Sequence, residues 1–131
     1  MIKIQELRIG NMLFVEGTFI KVGKIEENSI SWNIAKDTAK FKIWNPFLPI
    51  SDKRINPIPL TEEILLEFGF FKKLGNYELE NFRFHISQPM NFDGFVFCEG
   101  YSVITDKIQF VHQLQNLYFD LTGDELTFKK D

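Results

Sequence analysis

The sequence predicts an α+β fold. A small β module at the N-terminus, residues 1–59, is followed by a mixed antiparallel-sheet half with two helices, residues 60–131, and the two are expected to pack as one structural unit. Three observations predict this. Period-two alternation of apolar and polar residues fills the opening stretch, the mark of half-buried strands. A short segment beginning at Thr61 carries both helix-start and helix-stop signals. The chain closes on an apolar stripe with helical spacing.

In the N-terminal module, Met12-Leu13-Phe14-Val15 and Thr18-Phe19-Ile20-Lys21-Val22 flank Glu16-Gly17, which reads as a β-hairpin. Gly23 permits a bend or bulge. Ile30 and Trp32 alternate with serines, and Phe41 and Ile43 alternate with Lys40, Lys42 and Trp44. Several short strands in so few residues suggest a small barrel or strongly twisted sheet, because closure removes exposed edges. The opening Arg8-Ile9-Gly10-Asn11-Met12-Leu13-Phe14-Val15 resembles the start of an SH3-like barrel. Residues 45–60 hold four of the five prolines together with Phe47, Leu48, Ile50, Ile55 and Ile58. Proline favours extended geometry, and the apolar residues are too many for a free tether, so an ordered strap across the module is expected.

Thr61 is placed to cap a helix, with Glu62 and Glu63 at its positive end, Ile64, Leu65 and Phe68 as its apolar face, and Gly69 as its stop. Phe70 then falls where it can fold back on Leu65. Strands follow at Tyr77–Glu80, Phe82–Ile86, Phe95–Cys98 and Tyr101–Ile104, separated by turn-forming residues. The last helix runs from about Phe110 to Thr122, stopped by Gly123. Val111, Leu114, Leu117, Tyr118 and Leu121 form one stripe, and His112, Gln115 and Phe119 a second beside it.

Composition narrows the function. Apolar residues at 44% and charged residues at 25% are those of a globular domain. A net charge of −3 argues against a general phosphate binder. The 15 phenylalanines read first as an aromatic core and second as a partner-binding surface. Cys98 is the single cysteine, which excludes an intramolecular disulfide and a cysteine-based zinc site within one chain. With Glu99 beside it, it lacks the cationic setting of a reactive thiol. No apolar run is long enough to span a membrane, and the first residues lack a signal-peptide core, so a cytoplasmic location is expected.

The helical stretch Val111-His112-Gln113-Leu114-Gln115-Asn116-Leu117-Tyr118-Phe119, continuing to Leu121-Thr122-Gly123 and Glu125-Leu126, resembles the C-terminal signature of a family of small proteins from gut-bacterial phages and integrated mobile elements. Pro57-Ile58-Pro59-Leu60-Thr61-Glu62-Glu63-Ile64-Leu65-Leu66 with Phe68-Gly69-Phe70 is similar to that family's middle signature, and Leu7-Arg8-Ile9-Gly10-Asn11 to its opening. The resemblance implies a phage or mobile-element context and no particular activity.

No catalytic motif is present. Neither a phosphate-binding glycine loop nor a nucleophile elbow occurs, and no two of the 18 acidic residues stand out as a catalytic pair. A metal site would need His85 and His112 with Asp93, Glu99 or Asp106, and the two histidines lack ligand spacing. No cofactor is expected. The candidate partner-binding residues are His112, Gln115, Asn116 and Phe119 on the last helix; against this, buried polar groups ordinarily satisfy internal backbone. The expectation is a non-catalytic interaction protein that binds a protein partner or forms a homo-oligomer. A first alternative is nucleic-acid binding through Trp32 and Trp44 with Lys36, Lys40 and Lys42. A second is a small-molecule binder or enzyme with its site between the halves near His85 and His112.

Overall fold

A computed structural model describes residues 2–34, 47–80, 82–88, 94–105 and 107–128; for Asn33, Ile34 and Phe47 the description covers the backbone alone. The protein is α+β, and its described residues form two antiparallel five-stranded sheets and two α-helices. By contacts the chain forms two compact units, Met1–Ile58 with Val111–Glu125, and Pro59–Phe110 with Leu126–Asp131. The last helix, expected in the C-terminal half, is therefore part of the first unit.

The first unit opens with a 3-10 turn, Ile4–Glu6, and continues through β1 (Met12–Val15), β2 (Thr18–Ile25), β3 (Ser29–Ile34), β4 (Phe47–Pro49) and β5 (Ile55–Pro57). The hairpin forms as expected, with Phe14 opposite Phe19 and their rings 4.7 Å apart. The register of β2 against β3 shifts between Val22 and Lys24, so Gly23 does sit at an irregularity. The strand order is β4-β3-β2-β1-β5. The two edge strands are consecutive in sequence and are joined by two tight turns, in which Asp52 N–H donates to Pro49 O and Ile55 N–H to Asp52 O. Each turn spans less than ~7 Å, so the connection reaches at most about 14 Å. A flat sheet would separate its edges by about 19 Å. The sheet must curl, and it forms a half barrel. Leu13, Val15, Ile20, Val22, Ile30 and Trp32 fill its core.

The expected strap across the module is instead this pair of edge strands, β4 and β5. Proline belongs there: it lacks the N–H a ladder needs, and an edge strand leaves half its backbone groups unpaired in any case. The alternating segment at 40–44 lies outside the described residues.

The second unit contains α1 (Glu62–Glu67), β6 (Phe71–Lys73), β7 (Asn76–Glu78), β8 (Phe84–Ser87), β9 (Val96–Glu99) and β10 (Ser102–Val103). The sheet is a meander, β10-β9-β8-β7-β6. Both ends of α1 follow the sequence signals. Thr61 Oγ1 accepts from Ile64 N–H at 3.3 Å. At the far end Phe70 N–H donates to Leu65 O and Gly69 N–H to Leu66 O, with Gly69 at φ 101°, the paired bonds of a glycine-terminated helix. Phe68, Phe70, Phe84, Phe95, Phe97 and Phe128 are buried, with Phe68 stacked on Phe128 at 4.7 Å. Among the described phenylalanine side chains only Phe71 is exposed, so the aromatic excess serves mainly the core. Strand β6 was not expected from the sequence.

Helix α2 (Val111–Thr122) returns to the first unit. Its first N–H is satisfied by Ile58 O at 2.9 Å, and Gly123 N–H closes the other end on Phe119 O at 2.7 Å. Val111, His112, Leu114 and Gln115 are buried while Leu121 is exposed. The buried face thus includes part of the polar stripe as well as the apolar one.

Candidate functional site

The four residues proposed on α2 lie on one surface of the first unit, and each has partners there. Gln115 is 1% exposed. Its Oε1 accepts from Met12 N–H at 2.8 Å and its Nε2 donates to Gly10 O at 3.1 Å. Asn116 Nδ2 donates to Glu6 O at 2.8 Å, and its Oδ1 accepts from Asn11 Nδ2 at 2.7 Å and from Arg8 Nε at 3.2 Å. The Phe119 ring lies 4.2 Å from the Arg8 guanidinium carbon, a cation–π contact. Arg8 also binds Glu125 through both guanidinium nitrogens, with Nη2 3.2 Å from Oε1 and Nη1 bonded to Oε2. Gly10, at φ 98°, completes the arrangement: a Cβ there would stand 3.2 Å from the Glu125 carboxylate.

This is a lock between the turn after the 3-10 segment and α2. Asn11, fully buried, holds the turn through its Oδ1, which accepts from Arg8 N–H at 2.7 Å. The amides of Gln115 and Asn116 are engaged by internal groups. The chemistry of this network is that of positioning: its amides and guanidinium hold the turn against the helix through paired hydrogen bonds.

His112 is 1% exposed, with Nε2 3.3 Å from Glu6 Oε1. Burial holds its pKa below the ordinary histidine value, and the Glu6 carboxylate opposes that shift only in part. The imidazole is therefore neutral near pH 7. An open depression of about 340 Å³ beside it is lined by Glu6, His112, Gln113, Asn116, Leu117 and Asp120. Two carboxylates, Glu6 and Asp120, give it acidic character.

Of the nucleic-acid candidates, Trp32 is buried in the half-barrel core, where its ring cannot serve as a stacking platform. Lys36, Lys40, Lys42 and Trp44 lie outside the described residues. His85 is on β8 of the second unit and His112 on α2 of the first. Among the described residues, no three His, Cys, Asp or Glu side chains are grouped to hold a metal ion. Cys98 is buried on β9, and burial pushes its thiol pKa up.

A second surface, not singled out from the sequence, lies on the β9–β10 hairpin. Tyr101 is 108% exposed, Val103 61% and Ile104 41%. The hairpin turns at Gly100, which adopts φ 61°. Strand β10 ends the sheet, so beyond it the described sheet has no further neighbour. Ile104 N–H donates inward to Phe97 O at 2.9 Å. Alternation along an antiparallel ladder then turns the Val103 N–H and C=O outward. The available signal was the run Gly100-Tyr101-Ser102-Val103-Ile104-Thr105, which has neither charge nor proline.

The opposite edge, β6, also exposes apolar residues, Phe71 and Leu74, but Lys72 and Lys73 lie between them. In the first unit both sheet edges carry proline, Pro49 on β4 and Pro57 on β5. Charge and proline are the ordinary means of guarding an edge. Among the described sheet edges, only the short β10 edge has neither charge nor proline. No described helix is long and apolar enough to cross a membrane.

Family models, curated proteins and solved structures all fail to match this chain.

Proposed function

We propose that this protein works by binding another protein chain through non-catalytic contacts, in the cytoplasm, and that the β9–β10 hairpin is the contact surface. The observation that carries this reading is the neutral, apolar edge at Tyr101, Val103 and Ile104, on a molecule whose other described sheet edges are guarded by proline or lysine. Exposed apolar patches rimmed by polar residues are the usual mark of interaction sites. An edge strand adds main-chain hydrogen bonds to that attraction. The resemblance of the opening, middle and closing segments to a phage and mobile-element family supports an accessory role in such an element.

The surface of α2 first considered for a partner contributes differently. The side chains of Gln115 and Asn116 are bonded internally, so their role is to hold the first unit together. The test is capture from lysate with tagged wild-type chain and with Val103→Lys, each with and without nuclease. A stoichiometric protein that survives nuclease and is lost with the variant supports the proposal. Equal capture by both chains, or recovery of nucleic acid alone, overturns it.

A further inference from the structure

Resting on that reading, we infer that the occupant of the β10 edge is a second copy of this chain, paired antiparallel to the first about a two-fold axis at Val103. The argument starts from charge. A quarter of the residues in this protein are charged, yet none of the six from Gly100 to Thr105 is. A foreign strand can be matched by charges of opposite sign. A strand that pairs with itself about a two-fold axis brings like side chains close together, so neutrality is its form of charge complementarity. The β6 edge shows the contrast, because its self-pairing would bring Lys72 and Lys73 toward their own counterparts.

The backbone agrees. With the Val103 N–H and C=O directed outward, a two-fold axis at this residue lets the two copies exchange both bonds there. Tyr101 then faces Thr105 of the second copy, and Ser102 faces Ile104. Two five-stranded sheets would join edge to edge.

The size of the contact sets its strength. Two-residue strands with their flanking side chains bury well below the roughly 800 Å² per partner of a standard stable interface. The dimer is therefore weak and reversible, a property suited to exchange with another bound chain.

Sedimentation velocity of the full chain, from about 1 μM to about 1 mM, tests this. The expected result is a shift from monomer toward dimer with rising concentration. Val103→Lys sets two ammonium groups against each other at the axis and should raise the dissociation constant at least about tenfold. Tyr101→Lys, a second exposed position, should weaken the dimer as well. Leu74→Lys, which removes, on the other hairpin, an apolar side chain more exposed than Val103, should leave it unchanged. Circular dichroism checks that each variant is folded. A wild type that is monomeric throughout overturns the inference, as does a dimer that persists undiminished in Val103→Lys. Growth beyond the dimer would indicate β10 pairing with β6 of the next copy and overturns the two-fold arrangement. A monomeric wild type that still captures a protein lost with Val103→Lys would remove self-pairing while leaving the wider binding role in place.

Discussion

Gln115 does with one side chain what a neighbouring strand does with its backbone. It accepts from Met12 N–H and donates to Gly10 O, so two main-chain groups that the ladder leaves over are satisfied inside the first unit. Gln115→Leu keeps the volume and removes both bonds, which should cost about 2–4 kcal/mol because the backbone groups stay buried. Denaturant unfolding measures it, and a loss under about 1 kcal/mol would show that the amide contributes little. His112 makes the unit sensitive to acid. Its folded pKa lies below the ordinary value of 6.5, so the unfolded chain takes up its proton first as pH falls. Stability should be full above pH 6.5 and decline as pH drops from there toward the folded pKa. Glu6→Gln removes a group that opposes burial and should lower the His112 pKa further, as read by NMR titration of the ring. Tyr77 acts at the other extreme. Burial and its bond to Glu62 push its pKa up to about 12, so its contribution should disappear as pH rises above 10.

At the scale of elements, α1 shows what local sequence can specify. Thr61, Glu62, Glu63 and Gly69 each do the work their positions imply, because capping depends on residues within one turn. Thr61→Ala should lower stability by about 1 kcal/mol in a thermal or denaturant melt. The first hairpin was legible for the same reason, as Glu16-Gly17 sits between two short β-rich runs. Strand β6 was not, because Phe71, Lys72 and Lys73 are all exposed and show no alternation. The edge strands β4 and β5 read as a strap because prolines argue against a ladder until the edges of the sheet are known. In α2 the spacing did bring His112, Gln115, Asn116 and Phe119 to one surface. Their partners Arg8, Asn11 and Met12 lie about a hundred residues away, out of reach of any local pattern. The apolar stripe overreaches at Leu121, which is exposed, while Gln115 is buried on internal main-chain partners, as buried polar groups ordinarily are. Burial there follows the supply of hydrogen-bond partners.

At the scale of the whole molecule, the first unit is discontinuous, built from Met1–Ile58 and Val111–Glu125. A chain ending at Phe110 should keep the strands of the half barrel but lose protection at the Met12 amide, which hydrogen exchange would detect; full protection there would mean that α2 is dispensable to the unit. Arg8 makes the same join through Asn116, Phe119 and Glu125, and Arg8→Ala should loosen both segments together. This layout sets a schedule for synthesis. At about 5–20 residues per second, the fifty or so residues between Ile58 and Val111 take roughly 3–10 s to add. Until Val111 and the residues after it follow β5 out of the ribosome, the first unit has no α2, and Gly10 O and Met12 N–H lack the Gln115 amide. The strands made first are thus the last to be secured, and a nascent chain stalled before Val111 presents an unfinished sheet to whatever meets it at the ribosome exit.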